Sequence, residues 1–172
     1  MAGVITVSET PWIPRKRFAQ DTVLIVDGTL VPTRDHTVAA QSKNHRYSTN
    51  HHVVVDADTR LGRRGGPAPA RELQRLQGVG AVRCQVGRTM TIADGGYPGT
   101  GLVTPHRRRK GEDLPDWKGA DNKSHKRVRA RVEDVFARMK TWKILRDCRL
   151  RGDGVHHAML GTARMHNLTL AG

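Results

Sequence analysis

Two short runs, Thr22-Val-Leu-Ile-Val26 and Met90-Thr-Ile-Ala93, do most to limit how this chain can fold. Both are apolar and rich in β-branched residues, and both read as buried strands punctuated by a turn. The first ends in Asp27-Gly28-Thr29 and the second in Asp94-Gly95-Gly96-Tyr97. A carboxylate where a buried strand emerges has a rigid backbone behind it, and a following glycine lets a ligand approach closely. In open α/β sheets ligands gather at the carboxyl ends of strands. An Asp-Gly pair can also do no more than form a turn.

A third acid lies in Arg129-x-x-x-Glu133-x-x-x-x-x-x-Lys140. On a helix, steps of four and eleven return to within roughly 20–40° of the starting direction. Arg129, Glu133 and Lys140 then share one polar stripe. Val128, Val132, Val135, Met139 and Trp142 form an apolar stripe beside it, at the spacing of a buried helix face. A carboxylate flanked by two cations suits a group that holds a metal ion beside a phosphate. The simpler alternative is a surface ion pair, worth about a few tenths of a kcal/mol.

Charge narrows the partner. Among 172 residues, Lys and Arg outnumber acids 30 to 16, for a net charge of +14 and a pI near 11.0. Such an excess implies a polyanion, with nucleic acid the default. No apolar span or basic amphipathic helix argues for a membrane. The length suits one domain with a real core. Cys84 and Cys148 lie far apart without a CxxC neighbour, which argues against a disulfide framework or a zinc site. No export signal opens the chain, so a cytoplasmic location is expected.

Residues 1–20 read as a loose N-terminal segment and 34–50 as a polar stretch before a strand at His52-Val53-Val54-Val55-Asp56. Asp56 and Asp58 read as turn residues. Arg107, Arg108, Arg109 and Lys110 form the densest basic cluster, suited to a phosphate backbone or simply to a solvated surface. The Glu133 helix is expected to start near Asn122 to Ser124, capped by Asp121 or Ser124, and to end near Arg146. A final helix is expected from Val155 to Leu170. His156, His157 and His166 do not converge as metal ligands should.

Taken in order, Asp27-Gly-Thr, Asp94-Gly-Gly-Tyr97-Pro, Arg129-x-x-Val132-Glu133 with Phe136 and Lys140, and Met165-His166-Asn167-Leu168 resemble the DDE transposases of bacterial insertion sequences. The likeness is greatest to the Harbinger-related branch, the DDE superfamily endonucleases, and covers 22–61 and 86–172. It implies an α/β, RNase H-like fold, a mixed sheet flanked by helices, with 21–172 as the catalytic domain. It implies Asp27, Asp94 and Glu133 as catalytic and metal-binding residues, with Mg²⁺ or Mn²⁺ as cofactor, since hard oxygen donors select hard cations. Two ions about 3.5–4 Å apart are the usual arrangement for such phosphoryl transfer. Arg129 and Lys140 match the related Tyr-Arg-Glu-Lys signature, whereas its Tyr position carries Lys126. Arg129, Lys140, Arg107, Arg108, Arg109 and Lys110 become the DNA-binding set. The implied partner is DNA, at element ends and target, in a nucleoid-associated protein for which a homo-oligomer is compatible.

Residues 62–85 break the pattern: Gly62-Arg-Arg-Gly-Gly-Pro-Ala-Pro-Ala-Arg71 is turn-rich, and the family's third strand and Pro-Gly-x-x-x-Asp motif are not recognisable. The flanking motifs keep their separation. We therefore expect a truncated, internally degraded transposase, missing one strand and the family's N-terminal helix-turn-helix, with compensating frameshifts near Leu61 and Val86 in a G+C-rich gene. A basic surface loop is the alternative. The readings to separate are a DDE endonuclease that nicks and transfers DNA strands, a catalytically inactive basic nucleic-acid-binding remnant, and a nuclease acting on RNA–DNA hybrids. Translating the gene in its other two frames is expected to recover the missing motif between those positions; its absence from every frame refutes the frameshift.

Overall fold

The computed structural model describes residues 21–41, 47–60, 62–68 and 89–171, of which 63–68 and 171 are described by backbone alone. The expected N-terminal segment 1–20 and the interval 69–88 lie outside them. The expected first strand continues past its aspartate: β1 runs Val23–Pro32 and carries Asp27 in mid-strand. It is followed by β2 (Ala40–Gln41), β3 (Tyr47–Asp56), β4 (Gly62–Ala68) and β5 (Met90–Ala93). Among the described residues the helices are α1 (Asp116–Thr141), α2 (Lys143–Arg146) and α3 (Gly154–Ala171).

The sheet is mixed. β1 pairs antiparallel with β3 on one side, from Leu24↔Asp56 to Pro32↔Ser48. On the other side it pairs parallel with β5, from Val23↔Met90 to Val26↔Ala93. β2 and β4 share the outer edge of β3. A mixed sheet with helices agrees with the expected α/β class. One expectation fails here, because the interval thought to lack a strand supplies β4, paired antiparallel with β3. Strand pairing draws on backbone N–H and C=O groups, which every non-proline residue offers. A Gly- and Arg-rich stretch can therefore complete an edge without an apolar pattern to announce it.

Each sheet face has its own core. Ile25, Val31, Val53 and Val55 meet Val132, Val135, Phe136 and Met139 of α1, Leu145 of α2 and Val155, Ala158, Met159 and Ala163 of α3. On the opposite face, Leu24, Val26, Val54 and Ala93 pack, among the described residues, against Tyr97 and Leu102. Among the described residues the helices thus pack on one face, not on both.

The helix boundaries also differ. α1 begins at Asp116 behind Pro115, with no side-chain cap. A proline presets the backbone angle of a helix start and needs no N–H there. Asp121 sits inside the helix and faces His106 at 3.5 Å. At the other end Trp142 adopts an extended conformation (φ −68°, ψ 124°), which separates α1 from α2. The break leaves Trp142 exposed and swings Leu145 into the core. Apolar periodicity continues through it, and so gave no sign of it.

The motif Met165-His166-Asn167-Leu168 has a structural task. Asn167 accepts the Gly62 N–H and donates to the Gly62 carbonyl, each at 2.8 Å. His166 Nε2 lies 3.3 Å from the carbonyl of Arg60. Arg60 itself has a left-handed φ of 58°, unusual for a residue with a side chain. α3 therefore fixes the turn that launches β4.

His156 points inward, its ring parallel to that of His51 at 6.3 Å, while His157 is exposed. The His51 hydroxyl partner is Thr49, at 2.9 Å from Nε2. His51 Nδ1 and both ring nitrogens of His156 have no hydrogen-bond partner among the described residues. Burial, then the neighbouring His156 and His52, pushes His51 down to about 4. Burial, then His157, also lowers His156 against the opposing pull of Asp153. The fold thus favours neutral imidazole, and the unfolded chain binds more protons between pH 4 and 6.5. Stability must rise with pH across that window and is lost as the pH falls through it. The urea midpoint is expected to drop from pH 6.5 toward 4, with His51 contributing at most on the order of 3 kcal/mol. His51→Asn should flatten this slope; an unchanged slope refutes the assignment.

Candidate active site

The parallel pairing of β1 with β5 brings two distant acids together. Val26 is in register with Ala93, so Asp27 and Asp94 come next on neighbouring strands. Asp27 belongs to the helix-covered face, together with Ile25 and Val31. Its Oδ1 accepts the N–H of Gly28 at 2.8 Å, and its Oδ2 accepts Arg129 Nη2 at 2.6 Å. Both side chains of that ion pair are largely covered, 13% exposed for Asp27 and 22% for Arg129. Arg129 Nε is buried with no hydrogen-bond partner among the described residues. Gly28 makes no turn: a Cβ there would lie 3.1 Å from Asn50 Oδ1 on β3, so the glycine admits a close neighbour across the strands.

Asp94 does make a turn. Its Oδ1 accepts the Gly96 N–H at 2.8 Å, and its carbonyl accepts the Tyr97 N–H at 3.3 Å. Tyr97 then inserts into the core on the Leu24 and Val26 side of the sheet, its hydroxyl 3.0 Å from His52 Nδ1. The chain returns along the outer edge of β5, where Val103 exchanges backbone hydrogen bonds with Thr91 and Ala93, each 2.9 Å. From there the basic loop is tied to α1. Asn122 accepts the His106 N–H at 2.8 Å and donates to the His106 carbonyl at 3.0 Å. His125 Nε2 lies 3.2 Å from the Val103 carbonyl. Arg107 donates to the carbonyl of Gly95, inside the Asp94 turn.

The remaining residues singled out in the sequence lie around this centre. Glu133 is exposed on α1, one turn beyond Arg129. Lys140 is also exposed, and partial desolvation of its ammonium holds it below the usual lysine range. Arg108 donates to the Glu112 carbonyl at 3.1 Å and faces Asp113 at 3.7 Å. Arg109 and Lys110 are exposed. Asp56 closes the turn after β3, accepting the N–H groups of Asp58 and Thr59 at 3.0 and 3.1 Å.

Three carboxylates are the right donor type for a hard divalent cation. Their arrangement does not form its cage: among the described residues no three His, Cys, Asp or Glu side chains are grouped to hold a metal. A guanidinium already neutralises Asp27. Sequence patterns had not suggested Asn122, nor the Arg107 contact at Gly95. A single Asn inside a helix carries no periodic signal.

Asp27 on β1, paired with Arg129 of α1, and Asp94 just past the parallel strand β5 sit in a mixed sheet with helices, an α/β domain. The chain belongs to the transposase DDE domain family, whose model matches residues 18–168. It is 71% identical over 163 residues to a putative transposase for insertion sequence element IS112 from Streptomyces albus G. That match covers 92% of this chain and 63% of the relative, so the chain spans less than two thirds of that protein's length. No solved structure matches it. No described helix is long and apolar enough to cross a membrane.

The double hydrogen bond from Asn122 predicts a local effect. Asn122→Ala should free the basic loop, and trypsin should cut after Arg107, Arg108, Arg109 or Lys110 several-fold faster, with little change in global unfolding. Unaltered cleavage rates would show that the loop is held by other contacts.

Proposed function

We propose that this chain is the catalytic domain of an insertion-sequence transposase, which nicks DNA at element ends and joins the freed strand to a target. The observation that carries the reading is the register of β1 and β5, which makes neighbours of two aspartates far apart in sequence. In this reading Asp27, Asp94 and Glu133 hold divalent metal, Mg²⁺ or Mn²⁺, after a rearrangement that brings Glu133 in and moves Arg129 off Asp27. The bound ion supplies Lewis acidity, which lowers the pKa of an attacking hydroxyl and stabilises the charge of a leaving oxygen.

The protein's own residues supply position and charge. The sheet fixes the backbones of Asp27 and Asp94, and phosphoryl transfer tolerates little misplacement. Arg129 offers a planar fork to a phosphate and Lys140 a point charge. Arg107, Arg108, Arg109 and Lys110 extend the cationic surface from the Asp94 turn, where the sugar–phosphate backbone would run. Binding through such contacts weakens steeply with salt. The mixed sheet supports an RNase H-like fold, and the ordered motifs support the Harbinger-related branch. DNA-bound residence in the nucleoid follows from the same reading.

A second reading, a basic remnant that binds nucleic acid without cutting it, draws on the ungrouped carboxylates and the neutralised Asp27. A nicking assay on DNA carrying the element ends, with Mg²⁺ or Mn²⁺, separates the two. Activity in the wild type that falls at least about a hundredfold in Glu133→Gln and Asp94→Asn supports the enzyme, the size expected when a charge-stabilising group is lost. Equal rates in all three proteins remove the proposed triad. Salt-sensitive binding without cleavage supports the remnant.

A further inference from the structure

Resting on the reading that the partner is DNA, we propose that a cavity at the far end of β1 holds an unpaired nucleotide of the strand that nicking frees. The cavity has a volume of about 300 Å³. It lies between Pro32 at the end of β1, Tyr47 at the start of β3 and Arg146 at the end of α2. Ligand pockets span roughly 300–1,000 Å³, so this one suits a single planar group and not a duplex.

One wall is aromatic. His36 and Tyr47 stack with ring centroids 3.6 Å apart and planes inclined by 14°. His36 is exposed, which leaves the stack open to a further ring. Every nucleobase has a π-face, so such a platform accepts a base whatever its identity. The facing wall is cationic. Arg146 is exposed and makes no ion pair among the described residues. Asp147, the acid of the lining, is shared by Arg34 and Arg149 at 3.2 Å each. Three arginines against one aspartate leave positive charge in excess, complementary to the phosphate that accompanies a base.

The walls are braced in the free protein. Thr33 and Cys148 form a parallel bridge, and the Thr33 N–H donates to the Tyr47 carbonyl at 3.1 Å. In the loop that carries His36, Asp35 Oδ1 accepts the Thr37 N–H at 2.9 Å and its hydroxyl at 2.6 Å. Asp35 Oδ2 accepts the Gly152 N–H at 2.7 Å, which ties that loop to the segment before α3. A preformed pocket loses little freedom on binding. Its place also sets it apart from the acids. Pro32 follows Asp27 along β1 by about 17 Å at the rise of a strand. A DNA strand covers that distance in about five stacked nucleotides. A freed strand anchored here stays beside the acids between nicking and joining.

The test is binding of a labelled single-stranded DNA and of the matching duplex to the full chain, by fluorescence anisotropy without divalent metal. Wild type is compared with His36→Ala, His36→Phe and Arg146→Gln. His36→Ala should weaken single-strand binding at least about fivefold, the size of one base stack, and leave duplex binding unchanged. His36→Phe, which keeps a ring, should bind like wild type. Arg146→Gln should lower the slope of log affinity against log salt by about 0.7 on the single strand, the loss of one phosphate contact. A loss in His36→Phe as large as in His36→Ala overturns the stack, as does an equal loss for single strand and duplex in His36→Ala. Unchanged single-strand binding in His36→Ala and Arg146→Gln, with wild type binding DNA, overturns the pocket and leaves the DNA reading standing. No binding of either DNA by wild type overturns both.

Discussion

The parallel pairing of β1 with β5 is the constraint on which the rest of this structure depends. The hairpin-like pairing of β1 with β3 builds most of the sheet, but it creates no site. Only the parallel partner brings a second acid beside Asp27, and only because the register joins Val26 to Ala93. In a sheet a slip of one residue turns every side chain to the other face. Such a slip would separate the acids and turn the side chains of the slipped strand, Ile92 and Ala93 if it were β5, to the wrong faces. The packing of Ile25 against α1 and of Ala93 against Tyr97 therefore guards the site geometry as well as the core.

The second organising element is a pair of asparagine clamps. Asn122 grips His106 and Asn167 grips Gly62, each through both the N–H and the carbonyl of that one residue. One ties the basic loop to α1, and the other ties the start of β4 to α3. Neither segment has the apolar content to anchor itself. The side-chain amide supplies donor and acceptor together, and so replaces the strand partner that a loop lacks. The net charge of +14 calls for such local ties, because repulsion between cations otherwise pushes loops outward.

Much of this was legible in the chain itself. The run ending at Ala93, the apolar stripe of Val132, Val135 and Met139, and the last helix lie where local patterns put them, because burial imposes its period on sequence, and the run to Val26 is a strand that continues to Pro32 without the expected turn. The start of α1 was missed by half a dozen residues, since its first turns face solvent and the basic loop rather than the core. β4 was missed for the opposite reason: an edge strand is held by backbone groups that leave no mark on composition. The nearness of Asp27 and Asp94 follows from the resemblance, not from spacing. The contact of Arg129 with Asp27 could not be read at all. A helical period shows which residues share a stripe, but not which carboxylate the stripe will meet.

The sheet order has a temporal consequence. Asp27 is made before β5 and must wait for that strand to gain its neighbour, while Arg129 and Glu133 follow only with α1. Pairings between such remote segments close large loops and form late. A nascent chain still on the ribosome therefore holds scattered acids rather than an assembled centre. Whatever chemistry these groups perform is withheld until α1 has followed β1 and β5.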